Sequence, residues 1–65
     1  MANHDEALAD YSKAIEIKPD YGEAFYARAV SEIALNRNQD ACSDFSKALK
    51  LGFEEAKSMI KQYCH

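Results

Sequence analysis

The chain contains little proline and glycine: one proline and two glycines among 65 residues. So few turn-forming residues argue against a loop-rich, disordered or all-β protein and favour helices. The hydrophobic share of 48% is normal for a globular fold. A chain of 65 residues forms at most one domain, and a fold of this size buries only about 60% of the surface that its unfolded form exposes.

Long apolar runs and an excess of basic residues are also missing. No stretch approaches the roughly 18 apolar residues that a membrane span needs, and Met1–Asp5 lacks the pattern of a signal peptide. We therefore expect no membrane partner and a cytoplasmic location. The 8 basic and 11 acidic residues give a formal net charge of −3 and are interspersed. This pattern provides no basic stripe for a phosphate backbone, so no nucleic-acid partner is expected.

The patterns that indicate catalysis are absent as well. Neither glycine belongs to a phosphate-binding loop, and His4 and His65 lie at the ends of the chain, where nothing rigid orients a general base. Hydroxyl and acidic side chains recur at helical spacing and are expected on solvated helix faces. These are Asp10, Ser12, Ser43, Asp44 and Ser46. We predict that the chain is not an enzyme and needs no cofactor.

The two cysteines, Cys42 and Cys64, are too few for a disulfide framework. We expect two free thiols without a chemical role, because a buried free cysteine behaves as a small apolar residue. A zinc site that joins both cysteines to His4 and His65 is the alternative. Its spacing fits none of the paired zinc-knuckle patterns, and it would use a chain end that is expected to fray, so we predict no metal site.

A segment near the start of the chain recurs near its end. Residues 7–17 align with residues 41–51, and the paired positions keep both size and polarity. The pairs include Ala7 with Ala41, Asp10 with Asp44, Tyr11 with Phe45, Ser12 with Ser46, Lys13 with Lys47 and Ala14 with Ala48. A repeat period of this length predicts stacked supersecondary units, none of which buries its own apolar face without a neighbour.

Apolar spacing and helix breakers predict about four helices. The first covers roughly residues 4 to 17 or 18, with Asn3 as its N-cap and Glu6 three positions later. It ends before Pro19, because proline excludes the preceding residue from helical backbone. The second helix follows Asp20, its candidate N-cap, and ends at Asn36, a residue type that tolerates left-handed backbone.

The third predicted helix starts near Asn38 and ends at Gly52 as its C-terminal cap. The last runs from Glu54 to Tyr63 and has an apolar face opposite a polar one. The apolar face holds Ala56, Met59, Ile60 and Tyr63, and the polar face holds Lys57, Lys61 and Gln62. Because short connections force neighbouring helices into antiparallel hairpins, the predicted fold is all-α, an antiparallel helix-hairpin repeat of the solenoid kind.

These residues resemble the tetratricopeptide repeat (TPR), whose unit is a helix, turn and helix of about 34 residues, the period seen here. The family signature is met by Ala7, Tyr11, Ala14 and Pro19, and again, without the proline, by Ala41, Phe45 and Ala48. Phe25 takes the family's tryptophan position. The chain departs from the pattern with Arg28 for leucine, Ala29 for glycine, Glu32 for tyrosine and Phe53 for proline. The resemblance implies that these small and aromatic residues pack the repeats together.

In the TPR register the chain is one domain, 1–65, with three parts. These are a half repeat with only its second helix (1–21), a complete repeat (22–55) and a C-terminal capping helix (54–65). Met1–Asp5 then resemble the tail of a unit whose first helix is missing, with Met1 in the place of Leu35. The first helix would lack a hairpin partner. We expect a C-terminal fragment of a longer array, or a molecule that covers this face as a homodimer or domain swap.

TPR arrays bind peptides or proteins along a concave surface, so the resemblance implies a non-catalytic interaction module or scaffold. By register, this surface includes Glu23, Tyr26, Val30, Ile33 and Ala34. Two alternatives stay open: these residues pack against neighbouring helices, or the chain is a self-assembling structural unit. One TPR subset clamps a C-terminal carboxylate with lysine and asparagine. Tyr26, Ala27 and Val30 stand at those places, which favours an apolar or aromatic segment as the ligand.

Overall fold

A computed structural model describes residues 3–64 and shows four helices in this range, with no strand among them. They are α1 (His4–Ile17), α2 (Gly22–Ala34), α3 (Asn38–Lys50) and α4 (Ala56–Tyr63). Each helix packs against the next one along the chain. The predicted all-α hairpin fold is confirmed. Within the described range, no helix has the length and hydropathy required to cross a membrane.

The start of α1 agrees with the sequence, but the start of α2 does not. Asn3 Oδ1 accepts a hydrogen bond from the Glu6 backbone N–H (3.2 Å), as a side-chain N-cap does. The prediction of Asp20 as the N-cap of α2 is wrong, because Tyr21 occupies that position and no side chain caps the helix. Asp20 lies instead inside a turn closed by the Tyr21 N–H and the Lys18 carbonyl (3.1 Å).

Helices α2 and α3 end in the same way. Asn36 and Gly52 both adopt left-handed backbone, with φ of 62° and 93°. The N–H of the residue after each one donates back to a carbonyl in the last helical turn, that of Glu32 (2.7 Å) and that of Ala48 (2.9 Å). This pattern is the Schellman motif. The predicted left-handed exits at Asn36 and Gly52 are confirmed.

The last helix is shorter than predicted at its N-terminus. It begins at Ala56, while Glu54 and Glu55 form a turn. The Lys57 N–H donates to the Glu54 carbonyl (3.0 Å) over three residues, so the chain enters the helix through a tighter turn. The predicted faces are confirmed. Ala56 is buried, Met59, Ile60 and Tyr63 are half-buried, and Lys57, Lys61 and Gln62 are exposed.

The core is made mainly of alanines around two phenylalanines. The described buried apolar residues are Ala24, Phe25, Ala29, Ala41, Phe45, Ala48 and Ala56. Phe45 is fully buried, and Tyr26 meets its ring edge-on with the centroids 5.5 Å apart. Small side chains allow helix axes to approach closely, and the rings fill the space that remains. The core is therefore centred on the α2–α3 hairpin.

The cysteines differ from the prediction. Cys42 and Cys64 form a disulfide with their Cα atoms 5.8 Å apart, so the expectation of free thiols is wrong. The reason is tertiary: packing of α4 on α3 brings the residue after α4 beside Cys42, within the range that a disulfide spans. Both sulfurs of the alternative zinc site are therefore bonded to each other, and the His65 of that site lies outside the described residues, as Met1 does.

Candidate interaction groove

An open groove of about 920 Å³ is lined by both α1 and α2. We call it the α1/α2 groove. Its lining is mostly apolar and comes from both helices and from the turn before α4. The lining residues are Asn3, His4, Ala7, Asp10, Tyr11, Ala14, Tyr21, Glu23, Ala24, Tyr26, Ala27, Val30, Ser31 and Phe53. A groove of this composition suits an apolar or amphipathic segment.

The α2 wall is held in place by the core. Tyr26 is half-buried, with its ring against Phe45 and, at 4.9 Å between centroids, against Phe53. One turn further along α2, Val30 is 40% exposed, which is high for an apolar side chain on a packed helix. At the start of the helix the Tyr21 hydroxyl donates to Glu23 Oε1 (3.3 Å). This wall thus combines an aromatic residue packed on the core with solvent-exposed apolar surface.

The α1 wall is open to solvent along its length. None of the described residues of α1 is buried. Ala7, Tyr11 and Ala14 lie one turn apart and are half-buried in the groove, with the exposed carboxylate of Asp10 beside them. At the end of this helix Ile17 is 78% exposed. Helix α1 therefore has α2 on one side and solvent on the other.

Three of the five predicted partner-binding residues lie in the groove. Glu23, Tyr26 and Val30 line it, whereas Ile33 packs against the core, and Ala34 is exposed at the end of α2 outside the groove. Sequence reasoning missed the α1 wall and Tyr21. The α1 wall could have been predicted from the expectation that the first helix lacks a hairpin partner, because such a helix leaves one face open.

The predicted packing residues divide between the two copies of the repeat. Phe25, Ala29, Ala41, Phe45 and Ala48 lie in the core. Their counterparts on α1, the residues Ala7, Tyr11 and Ala14, are half-buried, and Pro19 is exposed. Residues at the same position of the repeat are thus buried in the second copy and only half-buried in the first.

Comparison with family models matches residues 3–32 to the TPR repeat. This range contains α1 and most of α2, the two walls of the groove. Residues 3–32 are thus similar to the tetratricopeptide repeat. Members of this family are, in general, non-catalytic modules for protein–protein interaction. No curated protein and no solved structure matches this chain.

Behind the α1/α2 groove, a polar cluster joins three helices. Arg28 of α2 donates two hydrogen bonds to Asp44 of α3 and one to Ser12 of α1. The prediction that Ser12 and Asp44 lie on solvated faces is therefore wrong. Asp44 is buried and Ser12 half-buried, because Arg28 reaches both across the helix contacts. The charge of Arg28 offsets the cost of burying the carboxylate.

Glu32 lies one turn after Arg28 on α2, is 8% exposed, and has one carboxylate oxygen, Oε1, without a hydrogen-bond partner. Burial raises the pKa of Glu32 to about 8, and the negative charge of Asp44 acts in the same direction. Glu32 does not line the groove. Because the pKa of Glu32 differs between the folded and unfolded chain, folding stability depends on pH.

Proposed function

We propose that this chain is a non-catalytic interaction module that binds a protein or peptide through the concave face of α2, in the α1/α2 groove. The observation that carries the proposal is the exposed Val30 beside Tyr26, along an open and mostly apolar groove. Aromatic anchors with exposed apolar neighbours are common at the centres of binding sites. The TPR match over both walls supports the same function.

The absence of catalysis belongs to the same proposal. Asp10 and Glu23, two acidic side chains of the groove, are exposed, and general acid–base catalysis needs groups held in a shielded pocket. The group with the strongly raised pKa, Glu32, lies outside the groove. We also retain the division of the chain into a half repeat (1–21), a complete repeat (22–55) and a capping helix (54–65).

Selection of a displayed peptide library on the immobilised chain tests the binding role. We expect enrichment of peptides rich in apolar and aromatic residues. Their binding should be lost in Val30→Lys, which places a charge in the groove, and kept in the matched variant Ala34→Lys on the same helix but outside the groove. Enriched peptides that bind Val30→Lys as well as the original chain would contradict the groove as the binding site.

Self-assembly is the second candidate function, because α1 has no buried residue and Ile17 is 78% exposed. A homodimer that covers this face would bury apolar surface in both copies. Sedimentation equilibrium between about 5 and 200 μM is the direct test, since dimers of modest affinity form in this range. A monomer at all concentrations would exclude this candidate, and a dimer that Ile17→Lys dissociates would support it.

The location of the chain is the last part of the proposal. The sequence favours the cytoplasm, whereas the Cys42–Cys64 disulfide favours an oxidising compartment. Alkylation of the thiols in intact cells, followed by mass measurement of the chain, distinguishes the two. Full alkylation of both cysteines supports the cytoplasm, and a chain without alkylated cysteine supports an oxidising compartment.

A further inference from the structure

The two copies of the repeated helix differ in what covers them. On α3, the strip formed by Ala41, Phe45 and Ala48 is fully buried, and α2 lies over it with Phe25 and Ala29. The equivalent strip on α1, one repeat period earlier, is Ala7, Tyr11 and Ala14, and it forms a wall of the open groove. The covered strip on α3 therefore shows which kind of helix, one like α2, can cover the equivalent strip on α1.

The contrast continues to the ends of the two helices. Leu51 is half-buried beneath the first turn of α2, where a Cβ added to Gly22 would lie 3.3 Å from the Leu51 Cβ. The counterpart of Leu51 is Ile17, which is 78% exposed. A helix that covered α1 as α2 covers α3 would bury Ile17 and would need a glycine at the point of closest approach.

Charge supplies an independent match. Asp44 of α3 accepts two hydrogen bonds from Arg28 of the covering helix. Its counterpart on α1, Asp10, lines the groove and is exposed. An arginine at the same position of a covering helix would meet Asp10 as Arg28 meets Asp44. The apolar strip and the acidic group of the groove thus select the same kind of helix.

We propose that the α1/α2 groove binds an amphipathic helix of a partner protein that follows the pattern of α2. The pattern is a glycine, an aromatic residue three positions later, an arginine six positions later and an alanine seven positions later, as in Gly22, Phe25, Arg28 and Ala29. This inference rests on the proposed function and names the chemistry of the partner. The helix lies against Ala7, Tyr11 and Ala14, with its arginine paired to Asp10.

A second copy of this chain fits the groove less well. Its α2 already buries Phe25 and Ala29 against its own α3. Helix α4, which lies one repeat period after α2, carries Met59, Gln62 and Tyr63 where the pattern has an aromatic residue, arginine and alanine. Gln62 offers no positive charge to Asp10, and Tyr63 is bulky where close approach requires a small side chain. A partner helix with the pattern of α2 therefore fits the groove better than a second copy of this chain does.

A labelled peptide with the sequence of residues 20–37 is the probe, and fluorescence anisotropy with the full chain is the measurement. We expect the peptide to bind and to gain helical circular dichroism. Ala7→Arg, which fills the groove, should weaken binding by at least about tenfold, whereas Ala9→Arg, on the exposed side of the same helix, should not change it. Equal binding by both variants would overturn the proposal.

A charge exchange tests the arginine pairing. The peptide with Arg28→Glu should bind the original chain about tenfold more weakly, because two carboxylates would face each other at Asp10. Asp10→Arg in the chain should restore binding of the altered peptide and weaken binding of the unaltered one. If Asp10→Arg does not reverse the preference between the two peptides, the proposed pairing with Asp10 is wrong. A peptide that displaced α2 from α3 would also show no reversal, because Asp10 takes no part in that contact.

The outcomes separate this inference from the proposed function. If the α2 peptide does not bind while library peptides bind and are lost in Ala7→Arg, the helix pattern is wrong and the binding role stands. If no peptide binds in the groove, both fail. A dimer of the chain that Ala7→Arg dissociates and Ala9→Arg does not would make the occupant a second copy, and would overturn the assignment to a different protein.

Discussion

Arg28 and Asp44 form a two-pronged ion pair that fixes α2 to α3. Arg28 Nε lies 2.8 Å from Asp44 Oδ2, and Nη2 lies 2.7 Å from Oδ1. The remaining guanidinium nitrogen, Nη1, donates to Ser12 Oγ of α1 at 3.2 Å. Parallel hydrogen bonds of this kind are strong and directional, so they fix the relative rotation of the helices as well as their distance. The positions of both groove walls depend on this contact.

Removal of the arginine charge should destabilise the fold. In Arg28→Met the stem is retained but the Asp44 carboxylate, 9% exposed, loses its partner. Because the Arg28 side chain is itself 23% exposed, we expect the free energy of unfolding to fall by about 2 kcal/mol, less than the full cost of breaking a buried pair. Urea unfolding followed by circular dichroism measures this loss. The matched variant Arg37→Met, at an exposed arginine, should stay within about 0.5 kcal/mol. Equal losses in both variants would contradict this role of Arg28.

The raised pKa of Glu32 predicts that stability falls as pH rises. The folded chain holds the Glu32 proton up to about pH 8, whereas the unfolded chain releases it near the ordinary value of 4.5. The folded state thus binds more protons between these values. The stabilisation is fully present below pH 4.5 and is lost as pH rises through about 8, because Glu32 then becomes a buried carboxylate beside Asp44.

Glu32→Gln keeps the shape of the protonated side chain and cannot ionise. At pH 8.5 this variant should unfold at a higher urea concentration than the original chain, and the difference should shrink towards pH 5. The control is Glu16→Gln on the exposed side of α1, which should leave the dependence on pH unchanged. If the original chain and Glu32→Gln lose stability in parallel between pH 5 and 8.5, Glu32 is not the responsible group.

Equivalent substitutions in the two copies of the repeat should differ in cost. Phe45 is fully buried, and Tyr11, its counterpart, is half-buried at the groove. Phe45→Leu should cost about 1.5 kcal/mol through lost volume and ring contacts, whereas Tyr11→Leu should stay within about 0.5 kcal/mol. Chemical unfolding of both variants under one condition gives the comparison. A larger cost for Tyr11→Leu would mean that the α1 face is packed in solution.

Reduction of the Cys42–Cys64 disulfide should lower the stability of the chain. The bond joins residues that are 22 positions apart, and closure of a loop of this length stabilises the folded state by about 3 kcal/mol through the unfolded ensemble. We expect the melting temperature to fall on addition of dithiothreitol, with amide exchange rising first in α4. The variant with both cysteines changed to serine should not respond to dithiothreitol. A response in this variant would assign the effect to another cause.

Local features of the chain were predictable because their causes are local. The Asn3 cap, the end of α1 before Pro19 and the left-handed exits at Asn36 and Gly52 depend on residues within one or two turns. Asp20 shows the limit. Its side chain is a good N-cap, but the turn from Lys18 to Tyr21 moves the start of the helix one residue further.

The charged residues and cysteines were mispredicted because their environment is set by distant parts of the chain. The sequence treats Asp10 and Asp44 alike, since both follow the same pattern. One is exposed and the other buried, because α2 places Arg28 over α3 alone. Cys42 and Cys64 likewise meet only after α4 has packed on α3. A repeat period carries no information about which copy is covered.

The order of residues by itself determined four helices, their hairpin arrangement and the similarity to the TPR repeat. Spacing, caps and turns act over a few positions, so adjacent residues specify them. The packed fold alone decided that Arg28 reaches Asp44, that Glu32 keeps a proton, that the sulfurs join, and that α1 has an open wall. These properties depend on contacts between residues far apart in the chain. Such residues become buried and come close together only after the helices have packed.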